Sequence, residues 1–327
     1  MLTRTQFFSL VSIGLLLITL FTALTPAFVH VDLFYPKRID SAFVSAEVER
    51  NREMPGIEEV ISGYNPSDAG IPFEDFDITT YDGLVLRGWY TKPAEPAATL
   101  LILHNLDESK ILYLDMIKQL YDRQISVCIV DLRAHGNSGG REFSPGLAGV
   151  RDAENMLDSL LAREKGNIYV MGAGTGAFIA AQLAVQDNRV AGLILENCFV
   201  SYRDFLDAYA EKKWKQARYL FLPPYLLKAK RLLGMDPEEL DISRIVAHIT
   251  VPTLFMAGTD EDFAAASESA ILKDSSAARQ KELFLIRTAA HGREDAGEEY
   301  YNRIAEFIIL TMPQKPKKSR YRKFAFE

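Results

Sequence analysis

The sequence predicts an α/β protein, with a mostly parallel, doubly wound sheet, an antiparallel hairpin at its amino-terminal edge and helices inserted late in the chain. Three observations carry this prediction. Six apolar runs too short for helices alternate with stretches whose apolar residues recur at spacings of three and four. Ahead of them, two alternating segments flank Asp82-Gly83, a pair suited to a tight hairpin turn. Between the fourth and fifth runs about 50 residues intervene, more than a bare loop or a single crossover helix requires.

In chain order, the first element is the run FFSLVSIGLLLITLFTALTPAFV, residues 7–29, which contains no charged residue. As a helix it would span about 34 Å, enough to cross a bilayer. Residues 1–30 therefore read as a transmembrane anchor. A cleavable signal segment is the competing reading, because Arg4 supplies a basic start and Thr25, Pro26 and Ala27 loosely resemble a small-residue cleavage site. The apolar core exceeds the usual signal length and favours the anchor. Basic residues lie on both sides of the run, and the charge balance leans to an amino terminus inside and a body outside the cytoplasm. Residues 31–72 follow as a linker.

The body occupies 73–200 and 251–312. FEDFDITTYD and LVLRGWYT form the hairpin arms. The buried strands are TLLILHN at 99–105, ISVCIVDL at 125–132, NIYVMG at 167–172, VAGLILEN at 190–197, TLFMAG at 253–258 and ELFLIRT at 282–288. Strands apolar on both faces and alternating with helices imply parallel pairing with right-handed crossovers. Ligands in such sheets sit beyond the carboxyl ends of the strands. Residues 201–250 read as an inserted helical lid. Its first part, 201–234, has eight basic residues against three acidic ones, with Trp214, Tyr219, Phe221 and Tyr225 among them. Such a segment suits either a lid over a pocket, resting on a membrane surface, or an ordinary amphipathic helix pair.

Composition narrows the function classes. The 327 residues, 48 % hydrophobic and 25 % charged, fit a globular body with a large core. Two cysteines, both in apolar stretches, make neither a disulfide framework nor a four-thiolate metal site. The overall net charge is −7, yet residues 313–327 carry six Lys and Arg against one Glu, so the rest is more acidic than the total suggests. That basic tail, with Tyr321, Phe324 and Phe326 interleaved, suits either anionic lipid headgroups or a solvated end. The acidic body and the lack of a recognised module argue against nucleic acid.

The strand-end loops carry the chemistry. DLRAHGNSGG at 131–140 resembles the D-x-R-G-H-G-x-S loop of the α/β-hydrolase superfamily, with Ala134 in place of one glycine. The resemblance covers roughly residues 70–312 and is strongest to membrane-anchored members of the serine aminopeptidase-like or dienelactone-hydrolase-like kind. It implies an inserted lid, a nucleophile elbow after NIYVM, an acid after the next-to-last strand and a histidine after the last. His135 and His104 fall in loops that are structural in that family.

At the elbow, G-x-S-x-G is replaced by Gly172-Ala173-Gly174-Thr175-Gly176. The elbow is kept and its nucleophile is missing, because Gly174 has no side chain to acylate. Thr175 follows that position, where the backbone N–H serves an oxyanion hole and the side chain points elsewhere. Glu261 stands at the matching offset for the acid, with Asp260 or Asp262 as one-residue alternatives, and His291 matches the histidine. The oxyanion loop should read His-Gly; here it is His104-Asn105-Leu106, and Asn105 either reshapes or blocks it. Asn105, Leu106 and Thr175 are the oxyanion-hole candidates. No cofactor or metal pattern is evident. The sequence thus points to a membrane-anchored pseudo-hydrolase that binds a small apolar or acyl ligand or a partner. The alternative is an ester, thioester or peptide hydrolase in which His291 activates a water in the space left by the missing serine.

Overall fold

The computed structural model describes residues 9, 12–16, 19, 32–43, 65–259, 266–286 and 297–313. Most of the apolar run 7–29, the basic tail from residue 314, and Asp260, Glu261, Asp262 and His291 lie outside them. No helix among the described residues is long and apolar enough to cross a membrane.

Ten strands form the framework: β1 (Phe73–Asp75), β2 (Ile78–Thr79), β3 (Val85–Leu86), β4 (Gly88–Thr91), β5 (Ala98–Leu103), β6 (Ile125–Val130), β7 (Ile168–Ala173), β8 (Val190–Glu196), β9 (Thr253–Gly258) and β10 (Lys281–Ile286). Eight of them make one sheet in the order β1-β4-β6-β5-β7-β8-β9-β10. β1 pairs with β4, and β4 with β6, antiparallel; the remaining neighbours are parallel. All six apolar runs are strands of that parallel sheet. The hairpin forms as well, but it divides: β2 and β3 close a two-stranded ribbon around Asp82-Gly83, while β1 and β4 join the large sheet. Phe76 N–H donates to Gly88 O across the split, at 2.9 Å. Gly88 has no room for a side chain, since a Cβ there would stand 2.7 Å from Ile129 O.

The helices are α1 (Leu114–Asp122), α2 (Leu147–Arg163), α3 (Thr175–Gln186), α4 (Tyr202–Trp214), α5 (Arg218–Leu233), α6 (Ile242–Val246), α7 (Ala266–Ser275) and α8 (Gly297–Thr311). Period-two alternation sends neighbouring strand residues into different cores. Leu101, Leu103, Val170, Leu193 and Leu195 pack on one face with α2, α3 and the inserted helices. Leu100, Ile102, Tyr169, Met171 and Ile194 pack on the other with α1 and α8. Tyr169 fixes the second face by donating its hydroxyl to Ile308 O at 3.1 Å.

The inserted segment between β8 and β9 is helical, as expected. Ser201 caps α4 by accepting from Asp204 N–H, and Gly234 ends α5 in a left-handed turn. Three of its aromatics pack on one another: Trp214 lies 5.2 Å from Tyr225 and 5.6 Å from Phe221, ring centre to ring centre.

One expectation changes. Residues 32–43, read as part of a linker, lie against the body. Leu33 and Phe34 are buried in the first core, and Ile39 and Phe43 pack on the second. Arg38 clamps the 131–140 loop, its guanidinium donating to the carbonyls of Gly136, Ser138 and Gly140 at 2.9, 2.7 and 2.6 Å. Lys37 N–H reaches Asp107 in the loop after β5, at 2.8 Å. Leu33, Phe34, Ile39 and Phe43 show no helical or strand period, so the sequence reads as a spacer.

Candidate active site

The carboxyl ends of β5 and β7 meet at the turn from β7 into α3. The strand and helix approach so closely that a Cβ on Gly172 would stand 2.5 Å from Ala177 Cα, and one on Gly176 would stand 2.5 Å from His104 O. Glycine at both places is therefore a steric requirement. Between them Gly174 adopts φ 51° and ψ −114°, a conformation costly for any residue with a side chain. Its N–H donates to Glu196 O at 2.9 Å, which ties the turn to the end of β8. Glu196 is itself buried and accepts from the Tyr300 hydroxyl at 2.9 Å. These are the marks of a sharp strand-to-helix turn that would thrust a side chain outward from position 174.

The direction in which that side chain would project is taken. A Cβ built on Gly174 would overlap the Asn105 carboxamide, with Oδ1, Cγ and Nδ2 as the nearest atoms. Asn105 reaches in from the loop after β5. Its Oδ1 accepts from Thr175 N–H at 2.9 Å and from the Thr175 hydroxyl at 3.2 Å. That hydroxyl in turn accepts from Leu106 N–H at 2.9 Å. Asn105 N–H donates to Glu108 Oε2 at 3.0 Å, and Glu108 also accepts from the Tyr113 hydroxyl at 2.6 Å.

The structure thus brings Gly174, Asn105, Leu106 and Thr175 together, and the three backbone N–H groups at the oxyanion-hole candidate positions donate to partners inside the protein. The Asn105 carbonyl oxygen sits where a substrate oxygen would have to accept. Thr175 is 1 % exposed, and its hydroxyl donates to Asn105 Oδ1 and accepts from Leu106 N–H, so it is buried and held away from attack. Asn105, expected either to reshape or to block the loop, fills the space outward of Gly174 and accepts from Thr175 N–H. Glu108, which holds the Asn105 backbone, carries no motif that would single it out in the sequence.

His104 and His135 are fully buried beside this loop, with ring centres 4.8 Å apart. His104 Nε2 accepts from Leu132 N–H at 2.9 Å, which places the ring proton on Nδ1, 2.7 Å from Asn105 O. Burial lowers the pKa of His104, partly opposed by the charge of Asp131; burial and the neighbouring His104 hold His135 well below the usual range. Both are neutral loop anchors. Beneath them Asp131, at the end of β6, forms a buried ion pair with Lys110 and accepts from Lys110 N–H at 2.8 Å and Asn137 N–H at 2.9 Å. Arg133 binds Asp152 through two contacts, at 2.6 and 2.8 Å. The 131–140 loop is a structural scaffold, as its resemblance implied. Ala134 within it takes φ 67°, a conformation that the glycine of the related pattern would adopt without strain.

Asn197, which sequence reasoning passed over, has φ 47° at the end of β8 and accepts from Gly258 N–H at 2.9 Å. It joins the ends of β8 and β9 just ahead of the loop that carries Asp260 and Glu261. Among the described residues, no group of three or more His, Cys, Asp and Glu is placed to hold a metal ion.

Comparison with known proteins bears on the fold. A family model described as serine aminopeptidase, S33, matches residues 94–243. An uncharacterized membrane protein of Saccharomyces cerevisiae is 26 % identical over 251 residues, covering 75 % of this chain and 82 % of its own. The protein bem46 of Schizosaccharomyces pombe is 22 % identical over 254 residues, covering 74 % and 79 %. Among solved structures, the esterase Pf2001 of Pyrococcus furiosus superposes with a TM-score of 0.64 at 21 % identity, over 78 % of this chain and 97 % of that one. A monoacylglycerol lipase from Paleococcus ferrophilus gives 0.52 at 17 % identity, over 68 % and 99 %. At these identities the structural likeness speaks for the fold.

Proposed function

The chain has the α/β-hydrolase fold, and from that premise we propose that it is a membrane-anchored pseudo-hydrolase, which uses the frame for binding and not for acyl transfer. The observation that carries this reading is the Asn105 carboxamide lying in the place of a nucleophile side chain, with its oxygen on the Thr175 N–H. In triad hydrolases, removal of the nucleophile alone costs on the order of a million-fold in turnover, and the residual catalysis comes from the oxyanion hole and binding. Here Gly174 supplies no nucleophile and Asn105 occupies the hole. The nucleophile and the oxyanion hole are therefore lost together, while binding is kept.

The reading in which His291 activates a water requires an empty space beside Gly174. That space holds Asn105, so the water route is the less favoured of the two. Membrane anchoring rests on the apolar run 7–29 and is in keeping with the description of the yeast relative as a membrane protein. The ligand class expected is a small apolar or acyl compound, or a protein partner.

The test is a gain of function. The full-length protein should show no turnover above background on a panel of short and medium acyl esters. Gly174→Ser alone should remain inactive, because its side chain must displace Asn105. The pair Gly174→Ser and Asn105→Gly, which restores the nucleophile and opens the hole, should hydrolyse esters at least 100-fold above the wild type, and His291→Ala in that background should abolish it. Wild-type turnover that His291→Ala removes would overturn the proposal in favour of the water mechanism.

A further inference from the structure

We propose that the outward face of α5, together with the cleft at its amino end, is a docking surface for an anionic lipid bilayer. The inference rests on the membrane-anchored reading above and adds a second contact to it. On α5 the exposed Tyr219 and Leu220 precede Pro223 by four and three residues, and Leu227 follows it by four, so they share a side of the helix. Tyr219 is 70 %, Leu220 50 % and Leu227 64 % exposed, whereas Tyr225, Ala229 and Leu233 on the reverse side are buried in the core. A soluble surface helix normally turns its apolar stripe inward. This one has a second stripe facing out.

Cations bracket the stripe. At its amino end a cleft of about 140 Å³ is lined by Glu211, Lys215, Gln216, Arg218 and Tyr219. Arg218 pairs with Glu211 at 2.7 Å, which leaves Lys215 as the unneutralised charge of the cleft and the Tyr219 ring as its apolar wall. At the other end Lys230 and Arg231 are exposed, with Lys230 bonded to Asp236 at 2.8 Å. Apolar side chains at the centre and cations at the margins match the order of acyl chain and phosphate at a bilayer surface.

The path of the chain puts this face on the anchored side. The apolar run ends at Val29, and the Tyr35 ring lies 5.1 Å from Lys228 Nζ on α5. That contact lies only six residues of sequence beyond the end of the run, and the described helical residues inside the run, Ile13, Leu15 and Leu16, expose their apolar side chains too. A second copy fits the face poorly, because a two-fold contact would set the basic margins against one another.

The experiment places a thiol-reactive fluorophore at Leu227→Cys in the full chain. Cys128 and Cys198 are 0 % and 1 % exposed, so labelling is selective. The control label is Glu95→Cys, exposed in the loop between β4 and β5, at the amino end of β5. Proteins are mixed with vesicles of phosphatidylcholine, with or without phosphatidylserine, containing a lipid with a nitroxide near its headgroup. Quenching at position 227 should exceed that at position 95 at least twofold. It should be stronger with phosphatidylserine, and should fall to the control level in Lys215→Glu, Arg218→Glu protein of unchanged melting temperature. Equal quenching at the two positions overturns the docking surface. So does self-quenching that follows protein concentration and ignores lipid, which would mark a second copy. A carbonate wash of the same vesicles tests the anchor separately: release into the supernatant overturns anchoring whatever the quenching shows.

Discussion

Asn105 and Gly174 change the site as a pair. Glycine alone would leave a cavity beside an intact oxyanion hole, and asparagine alone would collide with a serine at position 174. Together they interlock, and the carboxamide oxygen takes the hydrogen bond that a substrate would need. The departure from the familiar pattern was visible in the sequence at both positions. Their contact was not, because it joins residues about 70 apart through a side-chain geometry that no spacing encodes. The same applies to His104 and His135, whose loop-anchoring role was legible from the motif while their mutual packing was not. These two histidines set an acid limit on stability. Both are held neutral in the fold by burial, while in the unfolded chain each binds a proton near pH 6.5. Below that pH the unfolded state binds more protons, so stability is fully present above it and falls as the pH is lowered through it. Melting temperatures measured between about pH 8 and 5.5 should start to fall near 6.5, as the unfolded chain takes up protons that the buried rings do not. His135→Phe, which keeps the ring edge against Phe143, should make that fall shallower. A melting temperature flat across this range would contradict the buried neutral pair.

At the scale of elements, the amino-terminal strap and the 131–140 loop act as one unit. Arg38 gives three hydrogen bonds to carbonyls of a loop that contains Ala134 and Gly136 at positive φ, and it holds that loop against its own strain. Arg38→Ala should destabilise the protein on the order of 2 kcal/mol, the scale of hydrogen bonds from a charged donor. Hydrogen exchange should speed up at amides 134–140 and stay unchanged in β7 and β8. Unchanged exchange in the loop would show that the strap merely rests on it. The elements themselves were mostly legible. Five of the six parallel strands are apolar runs buried along nearly their whole length, which makes such runs unambiguous, and the edge strand β10 is only partly buried. The hairpin was legible in its turn but not in its division, which follows from the close approach of Gly88 to β6. The strap was missed for the opposite reason: its anchors are single side chains, Phe34, Arg38 and Phe43, bonded to partners far away in sequence.

At the scale of the molecule, one sheet separates two cores, the inserted helices close over one of them, and the strap links the carboxyl-terminal edge to the apolar run. Frame and site follow different logic. The frame is specified redundantly by many interchangeable apolar residues, so periodicity reveals it. The site depends on a few unique contacts, so the sequence could name its positions and could not show its state. That state is a prediction about hydroxyl reactivity, because position 174 lacks a side chain and the Thr175 hydroxyl is buried and bonded on both sides, so the turn after β7 presents no hydroxyl for attack. The most direct measurement is the intact mass of the full-length protein after exposure to a fluorophosphonate probe, beside the Gly174→Ser, Asn105→Gly variant. The account predicts no adduct on the wild type and a single adduct on the variant. Stoichiometric labelling of the wild type, abolished by replacing one serine or threonine, would contradict it.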